Sequence, residues 1–457
     1  MPADHTADHA VMWFRRDLRL GDNPALLAAC EADGVLPLFV LDPALWDPAG
    51  VSRRSHLGAA LRALDASLRA HDARLAVLHG DPVERVVAAA REVGAATVHV
   101  SADFNPYGAA RDERVAEALA EHGVELVRTG SPYAVPPGSV RKADDSAYAV
   151  FTPFSRAWAD HGWDAPAPAP TRLRGLTLQD TADVPEVELP EGLRLPDAGE
   201  EAAAQRWAAY VADHLDEYAE TRDRPDLDAT SKMSVHLKWG EIHPRTMLAD
   251  LGRSAGRSRT TYRTELAWRE FYADVLHRRP DSARHYLRPE YAQMAYESPG
   301  EAFEAWCEGR TGFPIVDAGM RQLRGAGWMH NRVRMITASF LVKDLHVEWQ
   351  HGARHFLHWL VDGDLASNNH GWQWTAGSGT DASPFFRVFN PTSQGRKFDP
   401  QGAYVRRWVP ELAGLGDGAD VHDPAPEDRT AVGYPAPMVD HKAERVEALD
   451  RWEAIRR

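Results

Sequence analysis

The spacing of apolar residues changes once along this chain, and no other feature restricts the fold as strongly. Up to residue 130, short apolar runs alternate with amphipathic stretches, which is the pattern of βαβ units. The strand-like runs lie at residues 11–14, 36–40, 75–79, 97–100 and 124–128. Helical spacing occupies residues 23–32, 53–70, 82–93 and 107–122. The alternation predicts an α/β domain over residues 1–130, with a parallel sheet covered on both faces by helices.

A glycine-rich phosphate loop is missing from this first domain. No G-x-G-x-x-G opens the first predicted helix, and the chain has no Walker phosphate-binding motif. We therefore expect a Rossmann-like sheet that lacks the usual dinucleotide site.

Proline-rich sequence separates this region from the rest of the chain. Alternating Ala and Pro at residues 165–170 form a stiff, extended spacer, and residues 184–200 are rich in Pro, Glu and Gly. We expect residues 131–200 to form a long interdomain connection over the surface, with one short helix at residues 153–161. Helical spacing then continues almost throughout, which predicts an all-α domain over residues 201–457.

Charge and cysteine content limit the classes of partner. A net charge of -15 argues against a protein that coats DNA by bulk electrostatics, although it leaves room for a local basic patch. Cys30 and Cys307 form neither a disulfide framework nor a metal-ligand spacing, which fits a reducing compartment. The first residues do not resemble a secretory signal, and no stretch of roughly 20 apolar residues occurs. We expect a cytoplasmic protein without membrane contact.

Tryptophan is frequent in this chain, which has 15 of them, 11 after residue 200. Two interpretations are open. One is a large aromatic core, and the other is a redox- or light-active protein that needs easily oxidised rings. Composition alone favours the aromatic core.

One predicted helix carries four chemically different side chains on a single face. They are a carboxylate, an indole, a guanidinium and a phenol, at Glu265, Trp268, Arg269 and Tyr272. A ligand pocket and a core helix with an internal ion pair explain this face equally well.

A second polar group centres on Arg334, in a segment whose helical spacing continues to residue 345. Its charge can be buried only beside a carboxylate, because an unpaired internal charge is very unfavourable. The segment at residues 362–374, with Asp362 and Asp364, offers that partner. The alternative is a loop of local Asp and Asn turns, and the ligand spacing of a calcium loop is missing.

Three histidines have a sequence spacing that resembles that of a metal site. His351, His355 and His358 have i, i+4, i+7 spacing, which suits zinc binding from one helix face. No general-base glutamate lies between the first two, and no fourth ligand is evident. We expect a solvated or stacked histidine face and no metal.

Five motifs, two of them long, resemble the photolyase/cryptochrome family, and specifically its class I cyclobutane-dimer photolyases. They lie at residues 13–20, 151–154, 327–335, 362–374 and 386–399, so the likeness runs along nearly the whole chain. The resemblance implies light-driven repair of cyclobutane pyrimidine dimers in DNA. Excited, reduced FAD would pass an electron to the dimer, and the electron would return after the ring opens. Photolyases are known to flip their target base out of the duplex.

The resemblance also implies a noncovalent, U-shaped FAD at the centre of the all-α domain. Arg334 would pair with Asp362 beside the flavin ring. Asp364 would contact a polar edge of the cofactor, and Asn368 would face flavin N5. An amide at this position suits fully reduced, anionic FAD, whereas plant cryptochromes place an aspartate there. The phosphates and neighbouring groups would be held by Tyr218, Thr230, Ser231, Lys232, Met233 and Ser234.

A lesion pocket follows from the same resemblance. Trp268 and Trp374 would form aromatic walls for the two pyrimidines. Glu265, protonated in a dry site, would donate a hydrogen bond to a pyrimidine carbonyl. Asn331 and Met335 would complete the pocket. Photolyases for 6-4 photoproducts and animal cryptochromes carry histidines at these last two positions, so the implied lesion is the cyclobutane dimer.

The family's electron wire, a chain of three tryptophans, is altered in this sequence. Trp372 and Trp349 match the first two members, and Tyr296 occupies the third position. A tyrosine must lose a proton when it is oxidised, so its kinetics should differ from those of tryptophan. Trp306 lies nearby in sequence and is the alternative terminus.

A second, antenna chromophore is expected in the α/β domain. Folate-binding members of the family place an Asn-Glu pair where this chain has Tyr107 and Gly108. Residues 103–108 instead resemble the deazaflavin-binding members, which makes Arg53 and Asp103 candidate contacts. An empty or flavin-filled pocket is the alternative.

The implied macromolecular partner is damaged DNA, bound by a monomer through a local basic patch. The cations at matching positions are Arg222, Arg269, Arg332, Arg387 and Lys397, with Arg406 and Arg407 as an extension. The rival hypothesis is a cryptochrome, a blue-light photoreceptor of the same fold. Signalling members often carry a long tail, whereas this sequence stops soon after a helix predicted from residue 439. The lesion pocket and Asn368 also favour the enzyme.

Overall fold

A single five-stranded sheet forms the first part of the molecule. The computed structural model describes residues 8–252, 256–381, 387–416 and 420–456. The first seven residues and Phe386, which entered the sequence arguments, lie outside these ranges. The strands are β1 (His9–Phe14), β2 (Gly34–Leu41), β3 (Ala76–His79), β4 (Ala95–Val100) and β5 (Glu125–Arg128). All neighbours are parallel, in the order β3-β2-β1-β4-β5, which confirms the five predicted strands and the parallel sheet.

Helices cover both faces of this sheet, because its strands are apolar on both sides. The four predicted helices are confirmed, and one short helix was not predicted. They are α1 (Pro24–Ala29), α2 (Pro43–Trp46), α3 (Val51–Arg69), α4 (Pro82–Glu92) and α5 (Pro106–Ala120). The extra helix, α2, is four residues long and is held by its cap, where Asp42 accepts a hydrogen bond from the amide of Ala44 (3.0 Å). So short a segment has no readable periodicity.

The connection after the sheet does not run over the surface along its whole length. Its predicted short helix is present as α6 (Phe151–His161). Phe154 and Trp158 are each 1% exposed, and they pack in one apolar cluster with the later helices. The expectation of a surface course is therefore wrong for this stretch. Farther along, the irregular chain touches β2 through an isolated bridge between Val35 and Gly175.

The remainder of the described chain is helical, as predicted. Its helices are α7 (Glu200–Asp213), α8 (Tyr218–Thr221), α9 (Ser234–Trp239), α10 (Pro244–Leu251), α11 (Arg257–Arg278), α12 (Glu301–Glu308), α13 (Pro314–Ala326), α14 (Asn331–Lys343), α15 (Trp349–Trp359), α16 (Leu365–Ala376), α17 (Pro391–Phe398), α18 (Ala403–Trp408), α19 (Pro410–Ala413), α20 (Pro426–Val432) and α21 (His441–Ala454). The two-part fold class is confirmed. The domain limits at residues 130 and 200 stay predictions.

The loop after β1 joins the sheet to the helices. The amide of Leu18 donates to the carbonyl of Trp239 (3.3 Å), and Arg19 donates to the carbonyl of Gly240 (2.9 Å). Gly240 has a positive φ of 68°, and a Cβ atom there would lie 1.9 Å from the carbonyl oxygen of Arg16. The joint therefore requires glycine at this position.

Candidate functional site

The ion pair predicted for Arg334 is present. From α14, its Nη2 donates to Oδ2 of Asp362 (2.8 Å), and Ser234 at the start of α9 donates to the same oxygen (2.7 Å). The other oxygen of Asp362, Oδ1, is buried and has no hydrogen-bond partner within the described ranges. A buried free acceptor requires a donor. The imide or a ribityl hydroxyl of a flavin is a donor of this kind, so these residues fit the implied cofactor.

The segment from residue 230 to residue 234 forms a tight turn beside a polar cavity of about 370 Å³. Thr230, Ser231 and Lys232 line the cavity, and Lys232 has a positive φ of 55°. The ammonium group of Lys232 is paired with Oδ1 of Asp228 (2.6 Å), so its charge is already partly balanced. Met233 is 1% exposed and packs into the core. Only the backbone of Met233 is therefore placed to meet a ligand.

Tyr218 lies behind this turn, in a stack of phenols. Its ring centre is 5.0 Å from that of Tyr262, whose hydroxyl is hydrogen-bonded to Ser231 Oγ (2.7 Å). The Arg222 guanidinium lies 5.6 Å above the Tyr218 ring. Tyr218 thus connects the turn at residue 231 with the side of the site that carries Arg222.

Asp364 is both a helix cap and an ion-pair partner. Its Oδ1 accepts from the amide of Ser367 (3.0 Å) and starts α16, while its Oδ2 accepts from Nη2 of Arg16 (2.7 Å). Burial alone would raise the pKa of Asp364, but the charges of Arg16 and Lys238 outweigh burial and hold that pKa well below its usual value. The loop after β1 therefore fixes the start of the helix that carries Asn368.

Asn368 is oriented by two hydrogen bonds from its amide nitrogen. Nδ2 donates to the carbonyl of Ala353 on α15 (3.1 Å) and to Oδ1 of Asn369 (2.8 Å). Both bonds use the nitrogen, which leaves the carbonyl oxygen of Asn368 to accept from a ligand. A reduced flavin carries a hydrogen on N5, and this orientation suits it.

The predicted lesion pocket contains an ion pair that the sequence did not indicate. Oε1 of Glu265 lies 2.6 Å from Nη1 of Arg222, and both side chains are about 30% exposed. Burial raises the pKa of Glu265, while the charge of Arg222 opposes that rise. Arg222, which was predicted to contact DNA, therefore holds the carboxylate of Glu265 in the DNA-free protein.

The other pocket residues come from three neighbouring helices. Trp268 on α11 is half-buried and stacks on Phe151, with ring centres 3.7 Å apart and an interplanar angle of 7°. Trp374 on α16 and Met335 on α14 are also half-buried, and Asn331 is exposed at the first position of α14. Both α11 and α14 pack on α16, the helix that carries Trp374.

Arg269 does not share the surroundings of its neighbours on α11. Its guanidinium donates to the carbonyls of Pro132 (3.0 Å) and Leu237 (3.3 Å) and lies 4.6 Å above the ring of Tyr133. These contacts fix it in the joint between the sheet and the helices. Its phosphate contact stays a prediction, and the geometry favours a structural role.

Two other predicted DNA-binding cations meet at one aromatic ring. Arg332 lies 4.5 Å above Phe398, and the ammonium group of Lys397 lies 5.0 Å from the same ring. Arg332 is also paired with Asp223 (2.9 Å). Arg387 is exposed, and its carbonyl accepts a hydrogen bond from Lys343.

The aromatic residues of the predicted wire are mostly buried. Trp372 lies directly on α15, where a Cβ atom at Gly352 would be 2.1 Å from its ring. Trp349 begins α15 and is 1% exposed. Tyr296 is half-buried, whereas Trp306 is 0% exposed. The alternative terminus therefore does not reach the surface.

The candidate antenna region lies at the carboxyl ends of β1 and β4, where the strand order reverses direction, a common position for ligands. Asp103 lies against α5 so closely that a Cβ atom at Gly108 would be 2.1 Å from its Oδ2. Burial would raise the pKa of Asp103, but Arg111 and Arg16 outweigh burial and lower it. This packing leaves no room for a side chain at position 108.

Lys238 is a residue of this region that the sequence did not indicate. Burial lowers its pKa to about 7, assisted by the charges of Arg16 and Arg53 and opposed by Asp364 and Asp103. The two predicted antenna contacts, Arg53 and Asp103, therefore act on the same amine. Only the packing of α9 against the sheet brings these groups together, so no local pattern could reveal it.

In the part of the chain that the structure describes, no group of three His, Cys, Asp or Glu side chains could hold a metal ion. Nor is any described helix both long enough and apolar enough to cross a membrane. The ring of His355 lies 5.6 Å from that of Trp306, and His351 is hydrogen-bonded to Arg354 (2.8 Å).

Comparison with known proteins identifies the family. Residues 10–171 match the model of DNA photolyase, and residues 262–454 match that of the FAD binding domain of DNA photolyase. A deoxyribodipyrimidine photo-lyase of Streptomyces griseus is 41% identical over 98% of this chain and 99% of its own length. The chain belongs to the DNA photolyase family. The predicted family and its enzyme class are thereby confirmed, and the FAD-binding domain supports FAD as the cofactor.

Solved photolyase and cryptochrome structures share this fold. A class III photolyase from Agrobacterium tumefaciens aligns with a TM-score of 0.90 and 36% identity, over 100% of this chain and 99% of its own. A cryptochrome of Synechocystis aligns with a TM-score of 0.89 and 27% identity, over 98% and 99%. The fold therefore does not distinguish photolyases from cryptochromes. Only the residues of the site can make that distinction. Their individual roles stay predictions.

Proposed function

We propose that this member of the photolyase family repairs cyclobutane pyrimidine dimers in DNA by light-driven electron transfer from reduced FAD. The observation that best supports the proposal is the set of side chains on α11 and α14, two helices that both pack on α16. It combines a carboxyl group at Glu265 with the stacked ring of Trp268. It also has an amide and a thioether, at Asn331 and Met335, where histidines would mark a 6-4 photolyase.

The two tryptophans of the pocket would hold the flipped dimer. Trp268 cannot tilt freely, because Phe151 lies parallel to it at 3.7 Å. A fixed ring loses little conformational entropy when a pyrimidine packs on it. Trp374, on the neighbouring α16, would supply the second wall.

Glu265 would stabilise the reacting pyrimidine by donating a hydrogen bond. In the DNA-free protein its carboxylate is held by Arg222 at 2.6 Å. If a DNA phosphate attracts Arg222, the opposing charge is removed and burial then raises the pKa of Glu265 further. The carboxyl group can then keep its proton and donate to the carbonyl on which negative charge develops.

Bound FAD supplies one electron to the dimer when it is excited by light, and takes the electron back after the ring opens. Arg334, Asp362 and Ser234 would hold its ring and ribityl chain through the ion pair and the free Oδ1. Asp364 would contact its polar edge, and the carbonyl oxygen of Asn368 would accept from N5. The turn with Thr230, Ser231, Lys232 and Met233, backed by Tyr218, would surround the phosphates.

Trp372, Trp349 and Tyr296 would carry electrons from the protein surface to FAD. The support is their burial, which decreases from the two tryptophans to the half-buried tyrosine. Trp306 is too deeply buried to be the outer end.

The second chromophore would be a deazaflavin rather than a folate. Support comes from residues 103–108, where Gly108 packs against the Asp103 carboxylate at the position at which the folate-binding pattern has a glutamate. Arg53, Asp103 and Lys238, whose pKa burial lowers to about 7, offer polar contacts for such a ring. We further propose that the protein acts as a cytoplasmic monomer.

The direct test is repair of an oligonucleotide with one defined thymine dimer by the reduced protein, under blue light and in the dark. We expect intact thymines only in the light, and the dark sample is the control. If the dimer is bound with FAD present but is not repaired, the electron-transfer step of the proposal is wrong. If the dimer is not bound, the cryptochrome alternative replaces the enzyme.

A further inference from the structure

A pair of stacked tyrosines continues the aromatic path beyond Trp349. The ring of Tyr286 is perpendicular to that of Trp349, with centres 6.1 Å apart. Tyr286 in turn stacks on Tyr296, with centres 6.3 Å apart and an angle of 15°. Exposure rises along this order, from 1% for Trp349 to 6% for Tyr286 and to half-buried for Tyr296. The path from Trp349 to the surface therefore passes through Tyr286.

The competing branch ends inside the protein. Trp306 lies 6.1 Å from Trp372 and is 0% exposed. Its indole N–H donates to the backbone carbonyl of Thr337 (3.1 Å). A peptide carbonyl is a very weak base, so an oxidised Trp306 could not transfer its proton there. If Trp306 is oxidised, it therefore takes an electron back from Trp372, and the oxidised state returns to Trp372.

Oxidation of a tyrosine requires a base, because the phenol becomes strongly acidic when it loses an electron. Burial raises the pKa of Tyr286, so its hydroxyl is protonated at rest. That hydroxyl donates to Oε1 of Glu348 at 3.1 Å. Glu348 is half-buried and directly precedes Trp349 at the start of α15. A carboxylate acceptor is therefore built into the path next to the tryptophan that Tyr286 would reduce.

We propose that Tyr286 reduces oxidised Trp349 and that Glu348 accepts its phenolic proton. This inference rests on the proposed electron path through Trp372 and Trp349. One electron passes from the Tyr286 ring to the Trp349 radical cation. The O–H bond of Tyr286 breaks, and an O–H bond forms on Glu348, which leaves a neutral tyrosyl radical and a carboxylic acid. An external thiol at the surface gives one electron to the tyrosyl radical across the ring of Tyr296, which stays a neutral phenol. The thiol loses its proton to water and becomes a thiyl radical, and Glu348 returns the phenolic proton to Tyr286.

The experiment follows radicals after a laser flash in flavin-loaded protein, by transient absorption and electron paramagnetic resonance, in H₂O and D₂O. In the parent protein we expect the tryptophan radical to be replaced by a tyrosyl radical, with a solvent isotope effect. Tyr286→Phe should lose the tyrosyl radical and keep only a short-lived tryptophan radical. Glu348→Gln should slow tyrosyl formation by about a hundredfold, the usual contribution of a positioned general base.

Tyr291→Phe is the matched control. Tyr291 is a buried tyrosine of the same core cluster, and its hydroxyl accepts from Trp452 (3.1 Å). This variant should behave like the parent protein. An unchanged tyrosyl radical in Tyr286→Phe, or an unchanged rate in Glu348→Gln, would overturn the proposal. If Tyr286→Phe does not fold, the Glu348→Gln rate and its isotope effect decide alone.

Failure of the underlying function gives a different result. If no tryptophan radical appears in the parent protein, the proposed path through Trp372 and Trp349 is wrong. The proposed role of Tyr286 is then wrong as well. If the tryptophan radical appears and repair proceeds, while the tyrosyl radical is unaffected in Tyr286→Phe, only the present inference is wrong.

Discussion

Helix α11 carries two glutamates five residues apart, and their surroundings differ completely. Glu270 is 2% exposed and accepts three hydrogen bonds. The donors are the amides of Ala134 (2.5 Å) and Val135 (3.1 Å) and the indole of Trp158 (2.5 Å). None of the three can turn away, because all belong to the packed connection after the sheet.

Glu265, which we propose to line the lesion pocket, is paired with the side chain of Arg222. Its contact with Arg222 joins two side chains that are each about 30% exposed. A flexible guanidinium can be exchanged for another partner, whereas backbone amides cannot. Burial alone therefore does not distinguish these two carboxylates. They differ in their partners, because Glu270 accepts from two backbone amides and an indole, whereas Glu265 is paired with a partly exposed guanidinium.

The largest effect that would test this contrast is on stability. Glu270→Ala should lower the free energy of unfolding by about 4 kcal/mol or more, since each of three orphaned buried donors costs about 1 to 3 kcal/mol. Chemical denaturation monitored by circular dichroism measures the loss. Glu265→Ala is the control, and a partly exposed ion pair of this kind contributes about 1 kcal/mol. Equal losses of unfolding free energy in the two variants would contradict the proposed difference between Glu270 and Glu265.

Acid should reduce the stability of the protein through a second buried polar group, His330. His330 caps α14 by accepting from the amide of Arg332 (3.2 Å), and burial lowers its pKa from 6.5 to about 4. The unfolded chain therefore binds more protons between these two pH values, and stability falls as the pH decreases through that window. Each unit of pKa shift corresponds to about 1.4 kcal/mol, so this histidine accounts for about 3 kcal/mol.

The matched variant is His330→Asn, which keeps a cap-forming side chain but does not titrate. Unfolding measured at pH 7 and at pH 4 should show a smaller acid loss in the variant by that amount. The same acid loss in both proteins would mean that His330 is not held neutral by its surroundings.

Repair should respond to Glu265 more than stability does. Glu265→Ala should reduce the rate of dimer splitting by about a hundredfold, the effect of removing one donor to developing negative charge. Glu265→Gln keeps a donor and should restore most of that rate. Single-turnover repair under blue light measures both. A glutamine variant as slow as the alanine variant would show that the transferable proton, rather than the hydrogen bond, is needed.

The smallest effect concerns affinity. Trp374→Ala should weaken binding of dimer-containing DNA by about 1 to 3 kcal/mol through lost stacking. Equilibrium binding in the dark measures it without any repair. Trp359→Ala, which changes the last residue of α15, is the control. This variant should bind dimer-containing DNA as the parent protein does. Unchanged binding after loss of Trp374 would remove that residue from the pocket.

The sequence predicted the elements of this molecule better than its long-range contacts. Strands and helices follow from apolar spacing, which is local. The pair of Arg334 and Asp362 was also predictable, because a buried guanidinium needs a carboxylate and one motif offered it. Glu270 gave no such signal, since its donors lie more than 100 residues earlier in the chain.

The same limit applies to the joint between the two parts. Arg16 and Asp364 are separated by 348 residues, and no sequence pattern in either segment predicts their contact. Lys238 is surrounded by charges from four distant segments, so its altered pKa is a property of the assembled fold. The resemblance to photolyases predicted the cofactor and lesion residues, whose roles stay predictions, while the pairing of Glu265 with Arg222 appeared only in the structure.

The contact between Asp103 and Gly108 has a consequence for how this protein can evolve. A single substitution at position 108 would drive a new side chain into a buried carboxylate, and replacing Asp103 alone would leave Arg111 without one of its two carboxylates. The two sites are therefore epistatic. A side chain at position 108 is therefore expected to be tolerated only when the carboxylate at position 103 is replaced or displaced.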